Sequence, residues 1–261
     1  MRMTAASIFG LGLVLPVFAH AQTASPQWGA APAISDVRSV SPALAQYTEQ
    51  GLLGEVWKRS GLSPRDRSLV TLAILIGKGQ TVELPFHLGL ALDNGVKASE
   101  ISGLVTHLAF YSGWANATAA VPFVKAAFER RGIGADQLPA AAPARMLPLD
   151  EPAEAARVKN VGDNFGAISP GLVADTTTFL FKDLWLRPDL AARAHSLVTV
   201  SSLIANGQAA QLTSHLRLGM NNGLTKPEIG EVIFHSAFYA GWPNAFSAMT
   251  VAKAVFEARP N

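Results

Sequence analysis

His107-Leu108-Ala109-Phe110-Tyr111-Ser112-Gly113-Trp114-Ala115-Asn116 returns 128 residues later as His235-Ser236-Ala237-Phe238-Tyr239-Ala240-Gly241-Trp242-Pro243-Asn244. The same offset lays Ser68-Leu69-Val70-Thr71 on Ser196-Leu197-Val198-Thr199, His87-Leu88 on His215-Leu216, and Asn94-Gly95 on Asn222-Gly223. Trp57, Arg59 and Arg65 fall on Trp185, Arg187 and Arg193. Residues 41–131 and 169–259 align without a gap, with 39 of 91 positions identical. Self-similarity at a fixed offset is the mark of a duplicated structural unit. Residues 132–168, opening with an Ala- and Pro-rich stretch of little periodicity, read as the linker between two copies.

Each copy reads as helices. Ser63-Pro64-Arg65-Asp66 carries an N-cap serine, a proline at the first helical position and an acid near the positive helix end, which predicts a helix to about Ile76. Leu84, Leu88 and Ala91 keep helical spacing until Asn94-Gly95 supplies a left-handed stop. Thr225-Lys226-Pro227-Glu228 is a capping box for a helix running to Tyr239, and a last helix follows Gly241-Trp242. Nothing in either copy alternates with period two over a useful length, so the expected class is all-α.

Composition narrows the functions. The chain has 261 residues, 49% of them hydrophobic, with a formal charge of +2 and no basic run, so the line of cations that nucleic acid demands is missing. It has no cysteine, which removes thiol nucleophiles, disulfides and cysteine-ligated metals together. Met1-Arg2-Met3, the apolar run Ala5 to Phe18 and Ala19-His20-Ala21 have the form of a cleaved export signal covering residues 1–21. The mature chain is thus expected in the periplasm or outside the cell, with no membrane span of its own.

The ordered set Arg-x-x-x-Leu-Val-Thr, Glu-Leu-x-x-His, Asn-Gly, Glu-Ile, His-x-Ala-x-Tyr-x-Gly-Trp and Asn-Ala resembles the carboxymuconolactone decarboxylase family, here in tandem. The resemblance implies the all-helical fold shared with alkyl hydroperoxidase D. It also implies homo-oligomers, with a trimer favoured for a chain that already holds two units. The peroxidase branch uses a Cys-x-x-Cys-x-x-x-His helix and an upstream glutamate. Its cysteine positions fall here on Gln80 and Glu83 and on Gln208 and Gln211, and its glutamate on Ser68 and Ser196. Without sulfur there is no thiol peroxidase chemistry.

The decarboxylase branch implies a carboxy-lyase acting without cofactor or metal on a small carboxylated lactone or related cyclic acid. Its site would need an anion holder, an oxyanion donor and an acid. Glu83 and His87 lie four residues apart, within reach of a shared proton, so His87 is the expected proton donor and oxyanion partner, with Glu83 orienting it. His215 has Gln211 in the corresponding place, which makes it the weaker candidate or a binding residue. Arg65 and Arg193 are candidates to clamp a carboxylate, although an arginine at a helix start is equally a surface ion pair. His107, Tyr111, His235 and Tyr239 read either as pocket walls or as contacts between packed helices. No HxH or HExxH spacing suggests a metal. The reading from a different class is a non-catalytic helical binding protein that kept the fold and lost the chemistry.

Overall fold

The computed structural model describes residues 32–259, so the expected export signal lies outside the described residues. Two short helices, α1 (Ile34–Val40) and α2 (Pro42–Gln46), lead into a π-helical turn at Tyr47–Leu53. Four longer helices complete the first copy: α3 (Pro64–Gly77), α4 (Leu84–Asp93), α5 (Ala98–Ser112) and α6 (Trp114–Arg130). The second copy repeats the plan with α8 (Pro170–Asp175), a π-helical turn at Thr176–Phe181, α9 (Ala192–Ala205), α10 (Ala209–Asn221), α11 (Lys226–Ala240) and α12 (Trp242–Glu257). There is no strand among the described residues. The segment read as a linker is not featureless: it carries α7 (Glu151–Phe165), begun by the Asp150 carboxylate accepting from the Ala153 amide. That helix was hidden because its side chains are mostly polar or alanine and give little apolar periodicity.

The local signals act as expected. Ser63 accepts from the Asp66 amide to open α3, and Thr225 with Glu228 closes a reciprocal box at the start of α11. Each such cap is worth about 1 kcal/mol. Gly113 and Gly241 join α5 to α6 and α11 to α12 at φ +92 and +94, a backbone that a side chain would strain, and this lets one helix follow another with no loop.

At the centre, α3 and α9 pack on each other, and every residue from Asp66 to Gly77 and from Ala194 to Ala205 is buried. Helices apolar on all sides belong in the middle of a protein. Their hydroxyls turn inward on their own helix: Thr71, Ser196, Thr199 and Ser201 each donate to the carbonyl four residues earlier. The two copies are interlocked. Helix α5 packs on α9 and α11 packs on α3, while α4 with α6 and α10 with α12 stay within their own copies. A residue of one copy therefore meets its chemical partners in the other.

Candidate active site

Two pseudo-equivalent sites sit where the copies interlock. In the first, the His87 ring of α4 stacks on Trp57 with centroids 5.9 Å apart and meets the edge of Tyr239, from α11, at 5.4 Å. Trp57 donates its indole N–H to the Tyr239 oxygen at 2.8 Å. One turn before Tyr239, the Nε2 of His235 lies 2.8 Å from the Thr71 hydroxyl of α3. In the second, His215 of α10 stacks on Trp185 at 6.0 Å and meets Tyr111, from α5, at 5.3 Å. Trp185 donates to the Tyr111 oxygen at 2.8 Å, and His107 Nε2 lies 2.6 Å from the Thr199 hydroxyl. Each site thus takes its histidine and tryptophan from one copy and its tyrosine and second histidine from the other.

Behind these rings the sites differ. In the first, fully buried Arg67 donates to Glu231 at 3.0 Å and to the Arg59 carbonyl at 2.7 Å. In the second, His195 stands in the place of Arg67, with Nδ1 at 3.1 Å from Nδ1 of His107 and Nε2 at 3.1 Å from the Arg187 carbonyl. Thr199 gives its hydroxyl proton to the His195 carbonyl, so its oxygen accepts the Nε2–H of His107, whose Nδ1 then faces His195 as an acceptor. The carboxylate facing each group also changes sides. Glu231 of α11 packs on Gly61 in the first site, where an added Cβ would come 2.2 Å from its Cγ. In the second, Asp189 packs on Gly103, and an added Cβ there would come 2.7 Å from its Cβ.

Burial dominates the electrostatics. It pushes His87 and His215 down to about 4 and His235 down to about 3, the last also repelled by Arg67 and His87. Burial lowers His107 well below its usual range, and lowers His195 against the opposing pull of the Arg187 carbonyl and Asp189. Tyr111 and Tyr239 are pushed up by burial, so their phenols stay protonated. At neutral pH both sites are therefore lined by neutral rings able to donate hydrogen bonds. The His87 ring is therefore neutral at rest. Its Nδ1 is buried with no hydrogen-bond partner among the described residues, and the same holds for His215 and His235.

The other expected site residues fall as follows. Glu83 ends a 3-10 turn before α4, and its hydrogen bond to His87 is not among the contacts of the described residues. Its carboxylate instead stands close enough to Tyr239 to help raise that phenol. Arg65 pairs with Glu100 and Asp66, and Arg193 with Glu228 at 2.6 Å and Asp66 at 2.8 Å. Buried Asp66 thereby bridges the starts of α3 and α9, and both guanidiniums are held by carboxylates of their own chain. Trp57, Trp185, Thr71, Thr199, Arg67, His195 and Arg157 were not singled out from the sequence as site residues. Identity of Trp57 with Trp185 and of Thr71 with Thr199 across the duplication was the available signal. Among the described residues, no three His, Cys, Asp or Glu side chains converge as metal ligands.

A cavity of about 1250 Å³ opens beside the second site. His215, Tyr111 and Trp185 form one wall, and Arg157 and Val161 of α7 with Phe181 of the π-helical turn form another. Gln211 also lines it, as an uncharged neighbour of His215.

The family model described as the carboxymuconolactone decarboxylase family matches twice, over residues 42–126 and 170–254. The chain belongs to that family. Among curated relatives, it is 43% identical over 79 residues to the 4-carboxymuconolactone decarboxylase of Acinetobacter baylyi, covering 30% of this chain and 59% of that protein. It is 36% identical over 75 residues to a nitrosuccinic acid decarboxylase of Metarhizium robertsii, covering 29% of this chain and 52% of that protein. The matched region thus spans little more than half the length of either relative. Both matches are shorter than one copy of the duplication.

Proposed function

We propose that this chain is a carboxy-lyase acting, without a cofactor, on a small carboxylated lactone or related acid whose carboxyl group lies next to an electron sink. The observation that carries the reading is the composite site: a buried neutral histidine stacked on tryptophan and capped by a protonated tyrosine from the other copy. The names of the two relatives support it, since both describe removal of a carboxyl group from a small acid.

The chemistry needs little from the protein. As the bond to the carboxyl carbon breaks, carbon dioxide leaves and the electron pair moves into the sink, placing negative charge on its oxygen. The tyrosine O–H and the histidine N–H donate to that charge in a water-poor site, where donors are strongest. A proton must then reach carbon. An anionic substrate beside His87 or His215 raises the ring's pKa. The ring therefore takes up a proton as substrate binds, returns it to carbon as carbon dioxide departs, and ends neutral. A resting pKa near 4 keeps the empty site uncharged.

On this reading the export signal at residues 1–21 would put the enzyme outside the cytoplasm. The exposed apolar residues Val40, Leu44 and Ile168 would be covered in a homo-oligomer, a trimer being favoured. The test is turnover of 4-carboxymuconolactone and of nitrosuccinate by the chain from Gln22, followed by carbon dioxide release, with His87→Ala and His215→Ala beside it. Release that falls at least a hundredfold with one or both substitutions is the expected result. No release from either acid by a folded oligomer would overturn the reading.

A further inference from the structure

We propose that the cavity beside His215 binds its ligand's carboxylate on Arg157, a residue of the inter-copy helix α7. The proposal rests on the carboxy-lyase reading only for the kind of acid involved. Arg157 is the only lysine or arginine among the described residues lining that cavity. Its guanidinium is held in place on three sides. Nε and Nη2 each donate to Glu154 at 2.7 Å, Nη2 also donates to the Thr177 hydroxyl at 2.8 Å, and the Phe181 ring lies 4.3 Å beneath.

Nη1 is buried with no partner among the described residues, which leaves both of its N–H donors unmet on a guanidinium already fixed in orientation. An unmet donor on a buried cation is costly, and a carboxylate is the ligand whose geometry suits it. The charge also reaches the catalytic wall, since Arg157 is among the groups that act to lower the Tyr111 phenol against burial. A carboxylate on Arg157 would thus sit on the same cavity as Tyr111 and His215.

Binding is tested with the saturated lactone acid 5-oxotetrahydrofuran-2-carboxylate and its neutral counterpart γ-butyrolactone, read on the indole N–H resonances of the full mature chain. The acid is expected to shift the Trp185 signal saturably and the neutral lactone to leave it in place. Arg157→Gln should weaken acid binding at least tenfold. Glu154→Gln, which removes the competing internal carboxylate, should leave binding as tight or tighten it severalfold. Lys159→Gln, on the same helix but exposed and paired with Asp163, should change nothing. If Arg157→Gln alone does not fold, the paired variant Arg157→Gln/Glu154→Gln replaces it and should show the same loss.

Absence of saturable binding to the wild-type chain would overturn the proposal. So would equal binding of acid and neutral lactone, or equal weakening by Arg157→Gln and Glu154→Gln. Failure of turnover leaves these binding results standing, so the two readings fail separately.

Discussion

Trp57 donates its indole N–H to the phenol of Tyr239, 182 residues further along the chain, and Trp185 makes the same 2.8 Å bond to Tyr111. This crossed pair sets which residues act together. His87 shares a site with Tyr239 and His215 with Tyr111, although sequence proximity suggests the opposite grouping.

Coupling between mutations should follow the crossed grouping. In a double-mutant cycle on carbon dioxide release, His87→Ala and Tyr239→Phe should be strongly non-additive, because either alone disables the same site. His87→Ala and Tyr111→Phe should instead each remove a separate site's share of the rate, so that the pair leaves far less release than either alone. A His87→Ala/Tyr111→Phe pair no worse than its weaker member would contradict the composite arrangement.

Stability should fall in mild acid. His87, His215 and His235 titrate at about 4, 4 and 3 in the fold, against an ordinary value of about 6.5. Between those values the unfolded chain binds protons that the folded chain refuses, so unfolding is favoured as pH drops. The contribution of each ring is complete above about pH 6.5 and is lost on descending toward its folded value. The slope is up to about 1.4 kcal/mol per pH unit for each ring. Urea unfolding at intervals from pH 7.5 to 4.5 measures it, and replacing His235 by Gln should flatten the curve.

Two glycines should respond in opposite directions. Gly103→Ala drives a methyl to within 2.7 Å of the Asp189 Cβ at a buried contact and should cost about 1 to 3 kcal/mol. Gly230, exposed on α11, has nothing within 4 Å of the added carbon. Gly230→Ala should therefore stabilise by about 0.5 to 1 kcal/mol through helix propensity and a less free unfolded chain. Chemical denaturation of the two variants separates the effects.

Binding of a carboxylate ligand should take up protons. At pH 7 the buried rings are neutral in the empty site, and an adjacent anion draws a proton onto one of them. Calorimetric heats measured in phosphate and in Tris should differ by the buffers' ionisation enthalpies, corresponding to uptake of a fraction of a proton up to one. His215→Gln should abolish the difference for the acid that binds beside it.

Much of the fold was legible because its signals are local and written twice. Ser63, Thr225, Asn94-Gly95 and Gly113 mark helix ends through the backbone alone, and the second copy confirms the register of the first. The site was legible in part. His87, Tyr239 and their counterparts stand out as repeated polar residues among apolar neighbours, yet nothing local says that they meet across copies. For Arg65 and Arg193 the sequence left a substrate clamp and an ion pair equally open, because Glu100 for Arg65, and Asp66 and Glu228 for Arg193, are joined to them only by tertiary packing. Arg157 was passed over for the converse reason: it lies outside the duplicated span, where repetition carries no information.

The exchange of Arg67 for His195, together with the shift of the facing carboxylate from Glu231 to Asp189, could not arise in an assembly of identical single units. There, every substitution falls on both members of a pair at once. Joining the units in one chain released them from that symmetry, so that two pockets with common ancestry became free to evolve separate tastes while each still depends on the other copy for half its walls.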